Sequence, residues 1–291
     1  MLTPLPMGFA VRHTTLWAAV ALPLALAGCV HATAVDRAQT LVRQHREEDA
    51  VASLRKDLAA HPEDVPARRL LVRLLGFTGD MNAARAETED LVARLGPDDP
   101  TPYVELGHAL ELAHRYDEAL EAYDAAASAA PASPVGPREG GMRAARWGEA
   151  EWARPRLEEA VRRGGGDAET WHTLGLVRLH LGDEEGAEQA YRTGAAVEPT
   201  GPACWLGLAT VAVVRGDGAA ALAAYDKLME LRPRFAAGEM GRAWALAKLG
   251  RKDDAAKALD RAQELGAPEP QIARQRAALA AQGVPDVKVR E

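Results

Sequence analysis

The chain has 291 residues, 47% hydrophobic and 26% charged, a balance that argues against wholesale disorder and leaves enough apolar side chains for a sizeable core. Its 35 basic and 42 acidic side chains give a net charge of -7, which argues against nucleic-acid binding, because neutralising phosphates needs a basic surface. Two cysteines are too few for a disulfide framework or a cysteine-only zinc site.

The first element in chain order is an apolar run, Leu16 to Ala27, behind Arg12 and His13. It is shorter than the ~20 residues that span a bilayer, and fits the core of a secretory signal peptide over residues 1–28. It ends in Leu26-Ala27-Gly28-Cys29, which resembles the lipobox of bacterial lipoproteins. The resemblance implies cleavage before Cys29 and acylation of its thiol, anchoring the protein in a membrane at ~0.8 kcal/mol per buried methylene. Val30, in place of an acidic residue, implies by the same resemblance the outer membrane, with the body facing the periplasm. The second cysteine, Cys204, lies between Ala203 and Trp205 on an apolar helix and reads as a small buried hydrophobe.

The body is periodic. Alanine recurs at 50, 84, 119, 153, 187, 221 and 255, at intervals of 34 or 35 residues. Pro62, Pro97, Pro131, Pro199 and Pro233 repeat at the same spacing or twice it, and so do Gly148, Gly182, Gly216 and Gly250. A large apolar residue follows most of the alanines by four, as in Leu54, Tyr123, Leu157, Tyr191, Tyr225 and Leu259. Each period predicts two helices. In residues 168–201, Trp171, Leu174 and Val177 fall on one helical stripe. Gly182 breaks that helix, Glu184 to Val197 forms the second, and Pro199 stops it. A single such hairpin cannot bury its own apolar faces, so the periods must stack. Within 134–167, Pro137, Gly140 and Gly141 predict a short or frayed first helix.

This pattern resembles the tetratricopeptide repeat family. Unit 100–133 carries it as Tyr103, Leu106-Gly107, Ala119, Tyr123, Ala126 and Pro131, and unit 168–201 as Trp171, Leu174-Gly175, Ala187, Tyr191 and Pro199. The resemblance implies an all-α, right-handed superhelical solenoid over 29–269. Its six to seven units are a degenerate 31–64, then 65–99, 100–133, 134–167, 168–201, 202–235 and 236–269. Residues 270–283 read as a capping helix and 284–291 as a loose tail. It also implies that first helices line a concave face, with the fifth, ninth, twelfth and thirteenth positions of each unit turned to a ligand. In the N-terminal half these are Arg69, Arg73, His108, Arg138, Met142 and Arg146, a largely basic set. In the C-terminal half they are His172, Leu176, Leu179, Leu206, Thr210, Val213, Met240 and Trp244, a largely apolar set.

No catalytic constellation or cofactor motif is present. The eight histidines are scattered, and His172 and His180 lie too far apart on one helix to share a metal, so they read as surface residues. Gly164-Gly165-Gly166 lacks the lysine and hydroxyl of a phosphate loop. Glu47-Glu48-Asp49 and Asp183-Glu184-Glu185 begin second helices, where negative charge complements the helix dipole. The expectation is therefore a non-enzymatic lipoprotein scaffold, with a lipid anchor on Cys29, an envelope protein as partner, and neither cofactor nor nucleic acid. Its lipobox, repeat number and length resemble pilotin-like factors that assist secretin assembly in type IV pilus systems. An adaptor docking peptidoglycan enzymes or proteases at the outer membrane is the second expectation.

Overall fold

The computed structural model describes residues 33–281. Cys29 and the signal segment lie outside them, as does the end of the chain from 282. The described residues form fifteen α-helices and no strand, so the protein is all-α. The helices come in antiparallel pairs. They are α1 Ala34–Arg43 with α2 Glu47–Ala60, α3 Val65–Phe77 with α4 Met81–Leu95, and α5 Thr101–Leu112 with α6 Tyr116–Ala129. Next come α7 Val135–Trp147 with α8 Ala150–Arg162, α9 Ala168–His180 with α10 Glu184–Val197, and α11 Pro202–Val214 with α12 Gly218–Leu231. The last pair is α13 Ala236–Lys248 with α14 Lys252–Glu264, and α15 Glu269–Ala280 closes the end by burying Ile272.

The boundaries follow from local chemistry. Thr33 and Asp36 form a capping box at the start of α1, and the side chains of Asp64, Asp80, Asp167, Asp183 and Asp217 accept from free backbone N–H groups at the starts of their helices. The turn inside each pair needs one residue in the left-handed region. Glycine supplies it at 79, 148, 182, 216 and 250. His45 and His114 occupy the same slot at φ 57° and 58°, so that slot continues through the pairs whose sequence hides it.

Packing follows the periodic positions. Ala50, Ala84, Ala119, Ala153, Ala187, Ala221 and Ala255 are all buried, and so are the residues four further on. Thr88, the polar exception among the latter, returns its hydroxyl to the Ala84 carbonyl at 2.8 Å. Tyr191 wedges between two first helices. A Cβ on Gly175 would lie 2.6 Å from its ring, and one on Gly207 2.4 Å. The core runs without a break from Ala34 to Ala190, then continues as smaller clusters towards α15.

The first helix of 134–167 is neither short nor frayed. α7 is continuous over 13 residues. Pro137 lies in its opening turn, where a missing N–H costs nothing. Gly140 and Gly141 are close-approach positions: a Cβ on Gly141 would meet Leu157 Cγ at 2.8 Å, and one on Gly140 would meet Tyr123 Cβ at 3.1 Å. Packing against α6 and α8 outweighs the low helix propensity of glycine, ~1 kcal/mol per residue.

First helices pack on one another, α1 on α3, α3 on α5, α7 on α9, α9 on α11 and α13 on α15, whereas no two second helices pack to a comparable extent. Closer spacing of the first helices places them on the inner side of the curve. No helix among the described residues is long and apolar enough to cross a membrane.

Candidate functional site

The inner face divides into a charged half and an apolar half. In the charged half Glu105 on α5 is wholly buried and accepts from two arginines of α3. Arg69 Nε donates to it at 2.8 Å and Arg73 Nη2 at 2.9 Å, and Arg73 Nε donates to its other oxygen. Burial works to raise the Glu105 carboxyl. The nearby His108 ring, 3.7 Å away, and the bonds from Arg73 and Arg69 outweigh that and hold it at about 2. The network continues into α7, where Arg143 donates to Glu111 at 2.9 Å and lies 3.3 Å from Glu139.

His108 sits at the middle of this network. Burial pulls its pKa down, but its contacts with Glu105 and Glu139 raise it above the ordinary value. Its Nε2 is 3.1 Å from Arg143 Nη2 and 3.5 Å from Glu139. Only the neutral ring accepts from Arg143, so protonation exchanges that bond for the Glu139 ion pair. One unit further on, Arg138 donates to Asp167 at 3.0 Å, Glu169 at 2.8 Å and the Thr170 hydroxyl at 3.0 Å.

These contacts correct the reading of the N-terminal half as a basic groove. Arg69, Arg73, His108 and Arg138 each contact a carboxylate of the next unit, Glu105, Glu139 or Glu169, so they hold units in register rather than offering free charge. Sequence reasoning missed Glu105, Glu139 and Arg143. The available signal was an opposite charge one period away, since Arg69 and Glu105 are 36 residues apart and Glu111 and Arg143 are 32 apart.

The apolar half is partly core. Trp244 is only 4% exposed and clusters with Ala209, Ala212 and Tyr225, with Lys248 Nζ 5.6 Å from its ring centroid. Trp244 therefore does not line the groove: small residues on α11 leave room for the ring to fold back onto them. Leu179 packs with Ala187, Tyr191 and Val211, and Val213 and Met240 pack against neighbouring clusters. The Thr210 hydroxyl is returned to the Leu206 carbonyl at 2.9 Å. His172 is half-buried 5.8 Å from the Tyr191 ring, not a surface residue, and burial lowers its pKa against a small opposing pull from Glu169. Cys204 is buried, and burial raises its thiol.

What remains open to solvent is Leu176, 49% exposed, and Leu206, 38% exposed. Between α7 and α9 lies a depression of about 420 Å³, with Met142, Ala145, Leu176 and Val177 as its apolar wall and Arg146 and His180 at its rim. It brings together three of the positions singled out from the sequence, Met142, Arg146 and Leu176. No group of histidine, cysteine or carboxylate side chains able to hold a metal occurs among the described residues.

Tetratricopeptide repeat models match residues 70–134, 168–200 and 206–270, together more than half of the sequence, and the chain belongs to that family. Among solved structures, a tetratricopeptide repeat protein of Cytophaga hutchinsonii, in its C-terminal part, is similar with a TM-score of 0.62 at 17% identity, covering 81% of this chain and 97% of its own. YrrB, described as a repeat protein with an unusual peptide-binding site, is similar with a TM-score of 0.58 at 16% identity, covering 65% of this chain and 97% of its own. Pseudomonas aeruginosa pilF is similar with a TM-score of 0.51 at 17% identity, covering 72% of this chain and 97% of its own. At these identities the likeness is one of fold. No curated protein sequence matches this chain. A repeat array of this family is a scaffold for protein–protein interaction, and no catalytic family is indicated.

Proposed function

We propose that the protein is a periplasm-facing lipoprotein, tethered through acylated Cys29, that holds a segment of an envelope protein on its inner face during assembly of an envelope complex. The observation that carries the binding reading is the solvent-open apolar surface of Leu176, which lines the α7–α9 depression, and of Leu206 on α11. Exposed apolar surface of this kind costs free energy until a partner covers it, at about 25 cal/mol per Å². The tether rests on the lipobox-like Leu26-Ala27-Gly28-Cys29. The finer reading, a pilotin-like factor for a secretin ring, rests on that leader together with the repeat number and length. The shared fold of pilF and of YrrB is compatible with it.

The test is crosslinking and affinity capture from the native membranes, with the parent chain and a Leu176→Glu, Leu206→Glu variant side by side. Both residues are exposed, so the variant keeps its core. An envelope protein captured by the parent and lost by the variant supports the reading, and a secretin among the captured proteins supports the finer one. Equal capture by both contradicts it. Metabolic labelling with a palmitate analogue, lost in Cys29→Ser, tests the tether separately.

A further inference from the structure

The arginines of the inner face differ in one respect. Arg69 and Arg73 are held by Glu105, Arg138 by Asp167 and Glu169, and Arg143 by Glu111, while Arg43 in the first pair donates to the Thr40 hydroxyl. Arg146 is exposed and has no hydrogen bond or ion pair among the described residues. It stands at the rim of the α7–α9 depression, whose wall is Met142, Ala145, Leu176 and Val177. Its place in the last turn of α7 complements the helix dipole, as any cation there would. That accounts for its charge but not for the open apolar surface next to it.

We propose that this depression reads one short motif in an internal segment of the partner: a bulky apolar side chain adjacent to an aspartate or glutamate. The apolar group rests on Met142, Leu176 and Val177, and the carboxylate pairs with the Arg146 guanidinium, whose fork suits a carboxylate. This deepens the binding reading above and rests on it. Charge complementarity selects the acid. Arg69, Arg73, Arg138 and Arg143 are neutralised within the array, so an acidic residue gains an attractive partner at this depression and meets the carboxylates Glu111 and Glu139 on its N-terminal side. The overall acidity of the chain makes the preference local, disfavouring long acidic stretches and favouring a single acid beside an apolar anchor. The site lies in mid-array, with α5 on one side and α11 on the other, so the bound chain runs through it rather than ending in it. The carboxylate is accordingly a side chain and not a C-terminus.

The experiment uses the purified full chain in detergent and a solid-phase library of random peptides, made in two forms, amidated and with a free C-terminus. The expected result is binding of amidated peptides enriched in an acid within two residues of Leu, Ile, Met or Phe. Arg146→Gln then weakens the best acidic peptide by about tenfold and abolishes the acidic preference, while Leu176→Glu abolishes binding of every selected peptide. Three results overturn the proposal. If binding is lost in Leu176→Glu but indifferent to Arg146→Gln, the acidic motif fails and the groove reading stands. If only the free-terminus library binds, the site captures chain ends. If no peptide binds, or binding is equal in all three proteins, the groove reading fails with it. Both substituted residues are exposed, so matching thermal melts keep the comparison one of binding.

Discussion

Replacing Glu105 by glutamine removes the buried charge on which α3 and α5 are locked together. Its carboxyl sits at about 2 against an ordinary 4.5, because the nearby His108 ring and the bonds from Arg73 and Arg69 outweigh the cost of burial. That difference corresponds to about 3 kcal/mol of preferential stabilisation of the carboxylate in the folded chain. Two effects reduce the net loss. Arg69 and Arg73 are 43% and 41% exposed and recover water when released, and the glutamine amide still accepts one of their bonds. The expected loss at pH 7 is therefore ~2 kcal/mol. The sign with pH follows from the lowered pKa. The contribution is complete above 4.5 and disappears as pH falls towards 2, where the parent carboxyl is itself protonated. Solenoids unfold in parts, so the assay is hydrogen exchange of the α3 and α5 amides at pH 7 and at the lowest pH that preserves the fold, with urea melts alongside. Protection should fall locally in Glu105→Gln at pH 7, and the difference should shrink in acid. Unchanged protection at pH 7, or a difference that persists in acid, would refute the register role of Glu105.

Three further outcomes are expected. Gly175→Ala places a Cβ 2.6 Å from the Tyr191 ring and should cost ~1–3 kcal/mol in urea melts, despite the higher helix propensity of alanine. Adding Tyr191→Leu should make the double loss smaller than the sum, and strict additivity would show that the ring can move aside. His108 should titrate by NMR above its ordinary 6.5, and Glu139→Gln should lower that midpoint, because the Glu139 contact raises it. With a raised pKa the contribution is complete below 6.5 and fades as pH rises through the folded value, opposite in sign to Glu105; a midpoint at or below 6.5 would contradict the network. His45→Gly relieves a left-handed histidine at φ 57°, a strain of ~1–2 kcal/mol partly offset by glycine's freedom in the unfolded chain. A small rise in melting temperature is expected, and a fall would mean that His45 makes contacts that matter more.

Fold class was legible because its determinants repeat. Alanine at the helix crossing and glycine in the turn recur every 34 or 35 residues, and one residue type at a fixed interval needs no tertiary information to be seen. The misreadings share a physical origin. Gly140 and Gly141 read as weak helix formers because propensity is local, whereas their role is to admit Tyr123 and Leu157 from other helices. Arg69, Arg73 and Arg138 read as free charge within their own units, whereas Glu105 and Glu169, which bind them, lie in the next. Trp244 read as groove lining because its position in the period was right. A ring that large swings back onto Ala209 and Ala212, and the period cannot show where its edge comes to rest. Met142, Arg146 and Leu176 were placed from the period, and the structure brings them to one depression. That Arg146 is unspent where Arg69, Arg73, Arg138 and Arg143 are paired needs every pairing at once.

In the proposed binding mode a partner lies on the inner face around Leu176. Site-specific photocrosslinking in the native membrane tests it most directly, with a benzophenone amino acid at Leu176 and, as control, at the equally exposed Val197 on α10. A discrete crosslink from position 176 to one envelope protein, and none from 197, is the expected result. No crosslink at 176, or the same product from both positions, would place the working surface elsewhere on the solenoid.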